Sequence, residues 1–342
     1  MSKGKNPLPP STYKGKSAYE YRPYLGEGQK RPCTRLCSLD APISTVWQKW
    51  EELQANHVST LAWLLTEYKN SREFEFIGKR PKSKDTIREH SRIIDALVKY
   101  PLKAGGDTFG KVHLKNITKG VIRRYLDKRE EDGAPVAGNR EKAVISKAWN
   151  WALERDFVAV ENPCDKVSRN QESSRKRYVT DDEYNKSYAL AASGPSYLQP
   201  MMEIAYLCRM RRGEILKATK DQVLEDGLDT LRLKGSRDTL TSWSDRLKAA
   251  IDMAGDLPSQ ISSIYIIHDR HGQPITITAF NSAWQRHKKK MKAAGIEPFN
   301  FHDLKAKGVS DTETGKQLAG GHRSADQTAI YDRKKPTVTP TK

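Results

Sequence analysis

Apolar residues recur at helical spacing through the first half of the chain. Val46, Trp47, Trp50 and Leu53 mark an amphipathic segment after Pro42, and Leu61, Leu64 and Leu65 mark a second. Thr86 and Glu89 stand at capping-box spacing, with Ile87, Ile94, Leu97 and Val98 on one stripe. Val121, Ile122, Tyr125 and Leu126 predict a further helix that stops near Gly133, and 138–154 predicts another carrying Val144, Ala148, Trp151 and Ala152. Together these segments predict a small helical domain over 42–167. Its tryptophans read as core, with base stacking as the alternative. The lysines and arginines on the opposite faces are either solvated or phosphate-contacting.

The flanking regions follow other patterns. Residues 1–16 are rich in Lys, Gly, Pro and Ser and read as a disordered basic arm. Tyr19 and Tyr21 then alternate, Gly26-Glu27-Gly28 can turn the chain, and Thr34–Leu36 can return as a strand. This predicts a small β element within 1–41, which either touches DNA or packs on the next domain. Residues 168–179 are polar, basic and aperiodic, a linker composition. Thr180 and Glu183 form a second capping box that opens a domain over 180–342. There, 197–208 reads as an apolar helix, 228–247 and 261–277 as short strand-like runs including Ile264–Ile267, and helices resume over 278–294 and after Asn300. The expected fold is mainly α with small β elements (α+β), and no internal repeat is visible.

Composition narrows the partners. The 342 residues carry 60 Lys and Arg against 42 Asp and Glu, a formal charge of +18. Such an excess favours a polyanion through counterion release, and nucleic acid is the first candidate. The basic residues spread along the whole chain, which argues against a membrane surface. No stretch reaches the roughly 18 apolar residues of a membrane span, and the N-terminus has no apolar signal core, so a cytoplasmic protein is expected. Cys33, Cys37, Cys164 and Cys208 are scattered and read as free thiols. His268 and His271 could pair on a metal, but a polar turn is the simpler reading.

Five short motifs remain. Arg211 and Glu214 lie in Arg-Met-Arg-Arg-Gly-Glu, ahead of an amphipathic run, and Lys234 stands near the turn of a hairpin-like stretch, 231–237. His302 and Lys305 are one helical turn apart and share a face. His322 follows two glycines, and Tyr331 comes nine residues later. Taken singly, each reads as surface charge, a solvated hairpin, a core histidine or a buried tyrosine. Their order resembles the catalytic domain of the tyrosine recombinases, the phage integrase family, and 42–165 resembles that family's helical core-binding domain.

The resemblance implies a chemistry. Tyr331 is the expected nucleophile, attacking a DNA phosphodiester to leave a 3′-phosphotyrosyl link and a free 5′-hydroxyl. Arg211 and Lys305 would offset charge on the non-bridging oxygens. Lys234 would be the general acid for the leaving oxygen, His302 would assist proton transfer at the tyrosine, and His322 would hydrogen-bond the phosphate. Glu214 would support the arginine or a histidine. Lys305 stands where the family has its second arginine, so the charge is kept and the two-pronged donor is lost. No cofactor or divalent metal is implied. The implied partners are double-stranded attachment sites, a homotetramer on DNA, and a DNA-bending accessory protein or excisionase. Other readings are a topoisomerase-like nicking and closing enzyme, a non-catalytic DNA-binding protein that kept the fold, and an RNA-binding or ribosomal protein, which the ordered residues leave unexplained.

Overall fold

The computed structural model describes residues 8–22, 33–102, 106–173, 175–233 and 235–341, and for 54–58 the backbone alone. The expected turn at Gly26-Glu27-Gly28, the first seven residues and Lys234 lie outside the described residues. The chain divides into two compact units, Met1–Glu172 and Ser173–Lys342.

The first unit opens with an antiparallel sheet of order β1-β2-β3, made of β1 (Thr12–Lys14), β2 (Ala18–Tyr21) and β3 (Thr34–Ser38). Tyr19 faces Cys37 across β2 and β3, with a bulge between Tyr19 and Glu20. Ala18 and Tyr19 are buried, and the Trp50 indole donates to the Pro10 carbonyl at 3.1 Å, so this element packs on the helix that follows. That helix is α1 (Ile43–Val58), followed by α2 (Leu61–Asn70), α3 (Arg72–Glu75), the two-residue strands β4 (Phe76–Ile77) and β5 (Arg80–Pro81), α4 (Lys84–Lys99), α5 (Lys119–Glu131) and α6 (Pro135–Leu153). Leu61, Leu64, Leu65, Ile94, Leu97, Ile122, Leu126, Ile145 and Trp149 form their shared core. Trp149 and Trp151 are buried, and their indoles donate to the Val160 carbonyl and to Glu73, as core tryptophans require. Trp47 is exposed instead.

One cap differs from expectation. The cap of α4 is Ser83, three residues before Thr86, and its hydroxyl accepts from the Thr86 amide at 3.2 Å. Both hydroxyls suit a cap, and Ser83 is the one held in extended backbone at the helix start.

The second unit contains α7 (Asp181–Ala191), opened by the predicted Thr180–Glu183 capping box, then α8 (Leu198–Leu207) and α9 (Arg212–Ile215). A hairpin of β6 (Gly227–Thr230) and β7 (Thr239–Ser242) precedes α10 (Asp245–Gly255), α11 (Ile277–Ala293), α12 (Phe301–Asp311), α13 (Lys316–Ala319) and α14 (Ala325–Tyr331). Two expectations fail here. Leu247 belongs to α10, and the apolar run Ile264–Ile267 makes an isolated bridge, Tyr265 to Thr219, in place of a strand. Ile266 and Ile267 are buried while Ile264 is 66% exposed, so burial rather than strand pairing explains the run.

The polar segment 168–179 is less free than its composition suggests. Asn170 is buried in the first unit, where its amide donates to the Leu126 carbonyl at 2.7 Å. In the second, Arg175 reaches Asp303, Tyr178 donates to Asp311, and Val179 is fully buried.

Helices α8 and α12 pack through Gly308, where a β-carbon would run into the Tyr206 carbonyl. That carbonyl is backbone and cannot swing aside. Gly308→Ala is therefore expected to destabilise the protein by about 3 kcal/mol through overpacking, read as a lowered melting temperature. An unchanged melting temperature would show that the two helices are free to separate.

Candidate active site

The site is assembled by α12 and the segments packed around it. His302 and Lys305 lie on the first turns of α12, whose N-terminus is capped by Asn300 and Asp303. The His302 Nε2 lies 3.0 Å from the Tyr331 hydroxyl, with ring centroids 5.5 Å apart. Lys305 is fully buried, donates to the Gly320 carbonyl at 3.2 Å, and sits 5.6 Å from the centre of the Tyr331 ring. His322 is also buried, and its ring centroid is 4.8 Å from that of Tyr331. Its Nδ1 contacts the Thr328 hydroxyl at 3.1 Å, while its Nε2 is buried without a partner. Such an orphaned nitrogen is costly unless something polar fills the space beside it.

Arg211 enters from the start of α9. Its backbone amide donates to Glu214 at 2.7 Å, and its Nη1 donates to the other oxygen of that carboxylate at 2.8 Å and to Ser236 at 3.2 Å. Glu214 also receives the Leu233 amide at 3.2 Å and Arg232 at 3.4 Å. Burial works to raise the Glu214 pKa, but the Arg211 amide and guanidinium and the Lys305 charge outweigh it and hold the carboxyl below its usual range. The structure thus brings Arg211, Glu214, His302, Lys305, His322 and Tyr331 together.

The cluster is short of negative charge. Burial, then the charges of Arg232 and Arg211, push the Lys305 pKa down to about 7. Burial and the Lys305 charge push His322 down to about 4. The His302 ring is crowded on its inner side although the residue is exposed outward, and desolvation with Arg211 and Lys305 lowers its pKa as well. Both histidines are neutral at pH 7, so His302 can accept a proton from the phenol it touches.

Several supporting residues escape a reading of the sequence. Arg333, two residues past Tyr331, donates to Asp303 at 2.7 Å, and both side chains are nearly buried. Ser310 on α12 donates to the Tyr331 carbonyl at 3.1 Å and accepts from the Arg333 amide at 2.7 Å. These bonds fasten the tyrosine's segment to the helix that carries His302. Arg232 falls within the hairpin-like stretch, and it too is buried in the cluster. Lys307, two residues after Lys305, projects elsewhere and pairs with Asp311 at 2.8 Å and with Asp181. Away from the site, His271 and Asp269 form a polar turn, and among the described residues no group of His, Cys, Asp and Glu is arranged to hold a metal.

The Tyr331 hydroxyl thus lies against His302, with the buried Arg232 and Lys305 and the half-buried Arg211 around it. Residues 177–337 match the phage integrase family, and this part of the chain belongs to that family of DNA breaking and rejoining tyrosine recombinases. No curated protein sequence matches it. Its fold is similar to that of a lambda integrase dimer bound to a COC' core site, with a TM-score of 0.67 and 19% identity over 98% of this chain and 99% of that one. A lambda integrase tetramer bound to a Holliday junction gives 0.65 and 19% over the same shares. The Tn1549 transposon integrase in complex with circular intermediate DNA gives 0.62 and 14%, over 80% of this chain and 94% of that one. Among the described residues no helix is long and apolar enough to cross a membrane.

The depressed Lys305 pKa has a consequence for stability. The unfolded chain binds more protons than the folded one between about pH 7 and the ordinary lysine value of 10.5. The buried ammonium therefore costs stability in full below pH 7, and the cost fades as pH rises through that window. Lys305→Met should melt above wild type at pH 7 in DNA-free protein, with the gap narrowing toward pH 10. A variant that melts lower at every pH would show that the ammonium is well solvated where it lies.

Proposed function

We propose that the chain is a site-specific recombinase that integrates or excises a phage or other mobile element through a 3′-phosphotyrosine on Tyr331. The observation that carries this reading is the 3.0 Å contact between the Tyr331 hydroxyl and His302, beside Arg211, Lys305 and His322. In this reading Tyr331 attacks phosphorus and His302 takes the phenolic proton. Arg211 and Lys305 offset charge on the non-bridging oxygens, and His322 donates to one of them through the Nε2 that has no protein partner. Glu214 holds Arg211 in place. Lys234 protonates the departing 5′-oxygen. Attack by the free 5′-hydroxyl reverses the sequence, so the covalent link conserves the bond and rejoining needs no cofactor.

The partners proposed are double-stranded attachment sites, further copies of the chain up to a tetramer, and an accessory protein that bends DNA. The proposed setting is the cytoplasm of a bacterial host. The lambda integrase tetramer on a Holliday junction supports the assembly by likeness of fold. A nicking and closing enzyme would use the same residues on one duplex. It would relax supercoiled plasmid lacking a recombination site, which the proposed recombinase would leave supercoiled.

The test uses nicked duplexes drawn from a randomised pool by covalent trapping on the wild-type protein. Tyr331→Phe should give no denaturant-stable adduct while binding the duplex with nearly unchanged affinity. Lys305→Ala should still form it, slower by roughly a hundredfold or more, in line with the loss of one transition-state donor. Lys307→Ala should lose stability more than cleavage rate. Adduct formation by Tyr331→Phe at the wild-type level would place the nucleophile elsewhere.

A further inference from the structure

Arg232 makes more contacts in the cluster than any role as hairpin surface would require. Its side chain has no exposed surface. Nη1 donates to the Arg209 carbonyl at 2.6 Å and approaches Glu214 at 3.4 Å. Nη2 donates to the Cys208 carbonyl at 2.9 Å, to Thr239 at 3.2 Å and toward the Ala319 carbonyl at 3.5 Å. One guanidinium therefore spans the end of α8, the start of α9, strand β7 and the turn after α13. The Cys208 and Arg209 carbonyls lie beyond the last turn of α8, where a cation is favoured by the helix dipole. Arg209 itself is in the left-handed region at φ 50°, a conformation that needs such support in a non-glycine residue.

The same guanidinium adjoins Lys305. Arg232 reaches the carbonyl of Ala319 and Lys305 that of Gly320, its neighbour in the turn. Gly321, at φ 67°, completes the turn, and a β-carbon there would lie 3.2 Å from Arg232 Nε and 2.7 Å from the Arg237 carbonyl. The Arg237 amide donates to the Gly321 carbonyl at 2.9 Å, so hairpin and turn are bonded directly. Arg232 and Lys305 therefore occupy adjacent carbonyls of one turn, and both side chains are buried.

We propose that Arg232 supplies, from the hairpin, the guanidinium that the His302–Lys305 pair lacks, and acts as a positioning residue that sets Arg211 and the Gly320–His322 turn around Lys305. The proposal rests on the recombinase reading for its catalytic consequence alone. Positions 232 and 305 together hold one guanidinium and one ammonium. Arg232→Lys leaves two ammoniums and drops the fork that ties four segments. Lys305→Arg sets two guanidiniums on the adjacent carbonyls of one turn. Exchanging both restores the pair.

Arg232 also acts on Lys305 through charge. Lys305 is faced by Arg209, Arg211 and Glu214 from the α8–α9 segment, Arg232 from the hairpin, His322 and Tyr331 from the C-terminal segment, and His302 on its own helix. Among the charges, Arg232 weighs most against the protonated lysine. Neutralising it lets Lys305 keep its proton to higher pH.

The experiment compares wild type, Arg232→Lys, Lys305→Arg and the double exchange by thermal melting and by single-turnover cleavage of the trapped nicked duplexes. Each single variant should melt lower by on the order of 5 °C and cleave at least about tenfold slower, and the double should recover most of both, the mark of strongly coupled sites. Losses that add in the double variant would overturn the proposal, as would recovery of melting without recovery of cleavage. In Arg232→Gln the alkaline fall of the cleavage rate should move up by about one pH unit, and an unmoved profile would show that Arg232 does not act on Lys305. Wild-type protein that traps no duplex would sink the recombinase reading, while the melting cycle would still decide whether the two positions exchange.

Discussion

The second unit is built around a surplus of buried positive charge. Among the described residues Glu214 is the only carboxylate bonded to both Arg211 and Arg232, and the charges of Arg209, Arg211 and Arg232 all bear on Lys305. A fold does not ordinarily leave cations in its interior without matching anions, because the desolvation cost is large. Here the surplus is tolerated because rigid parts hold it. Glu214 ties Arg211 to the hairpin, backbone carbonyls at 208, 209 and 319 accept from the two terminal nitrogens of Arg232, and Lys305 takes the Gly320 carbonyl. In the proposed reading the matching anion is a DNA phosphate, on which the family acts. The depressed Lys305 and His322 pKa values are the visible cost of the surplus.

Tyr331 is held by a separate set of bonds. The Asp303–Arg333 ion pair and the Ser310 hydroxyl fix the segment around Tyr331 to α12, so a single helix carries both His302 and the anchor of the tyrosine that His302 touches. Gly308 lets α12 lie close on α8, whose end presents the Arg209 and Arg211 turn. Helix packing, electrostatics and the position of the tyrosine are therefore one problem.

Much of this was legible in the chain where the information is local. His302 and Lys305 share a face because three residues separate them on a helix, and the Thr180–Glu183 box marked a helix start that the structure keeps. Nothing local announces Arg232. In Leu231-Arg-Leu-Lys it alternates with apolar residues and reads as an outward-facing strand position, and only carbonyls from distant segments reveal it as buried. Asp303 reads as a capping acid, which it is, but its second role depends on Arg333, thirty residues away in the chain. The run at Ile264–Ile267 misled for the opposite reason, since apolar residues alone do not say whether a segment pairs or is merely covered.

The claim that Tyr331 is the residue joined to DNA is tested most directly by locating the nucleotide. After trapping, nuclease trimming and trypsin digestion, cleavage at Arg323 and Arg333 would release Ser324–Arg333, whose only tyrosine is Tyr331. Tandem mass spectrometry should find the residual nucleotide on that tyrosine and none on Tyr178 or Tyr206, whose hydroxyls are bonded to Asp311. A nucleotide on any other residue, with the 324–333 peptide recovered unmodified, would contradict the account.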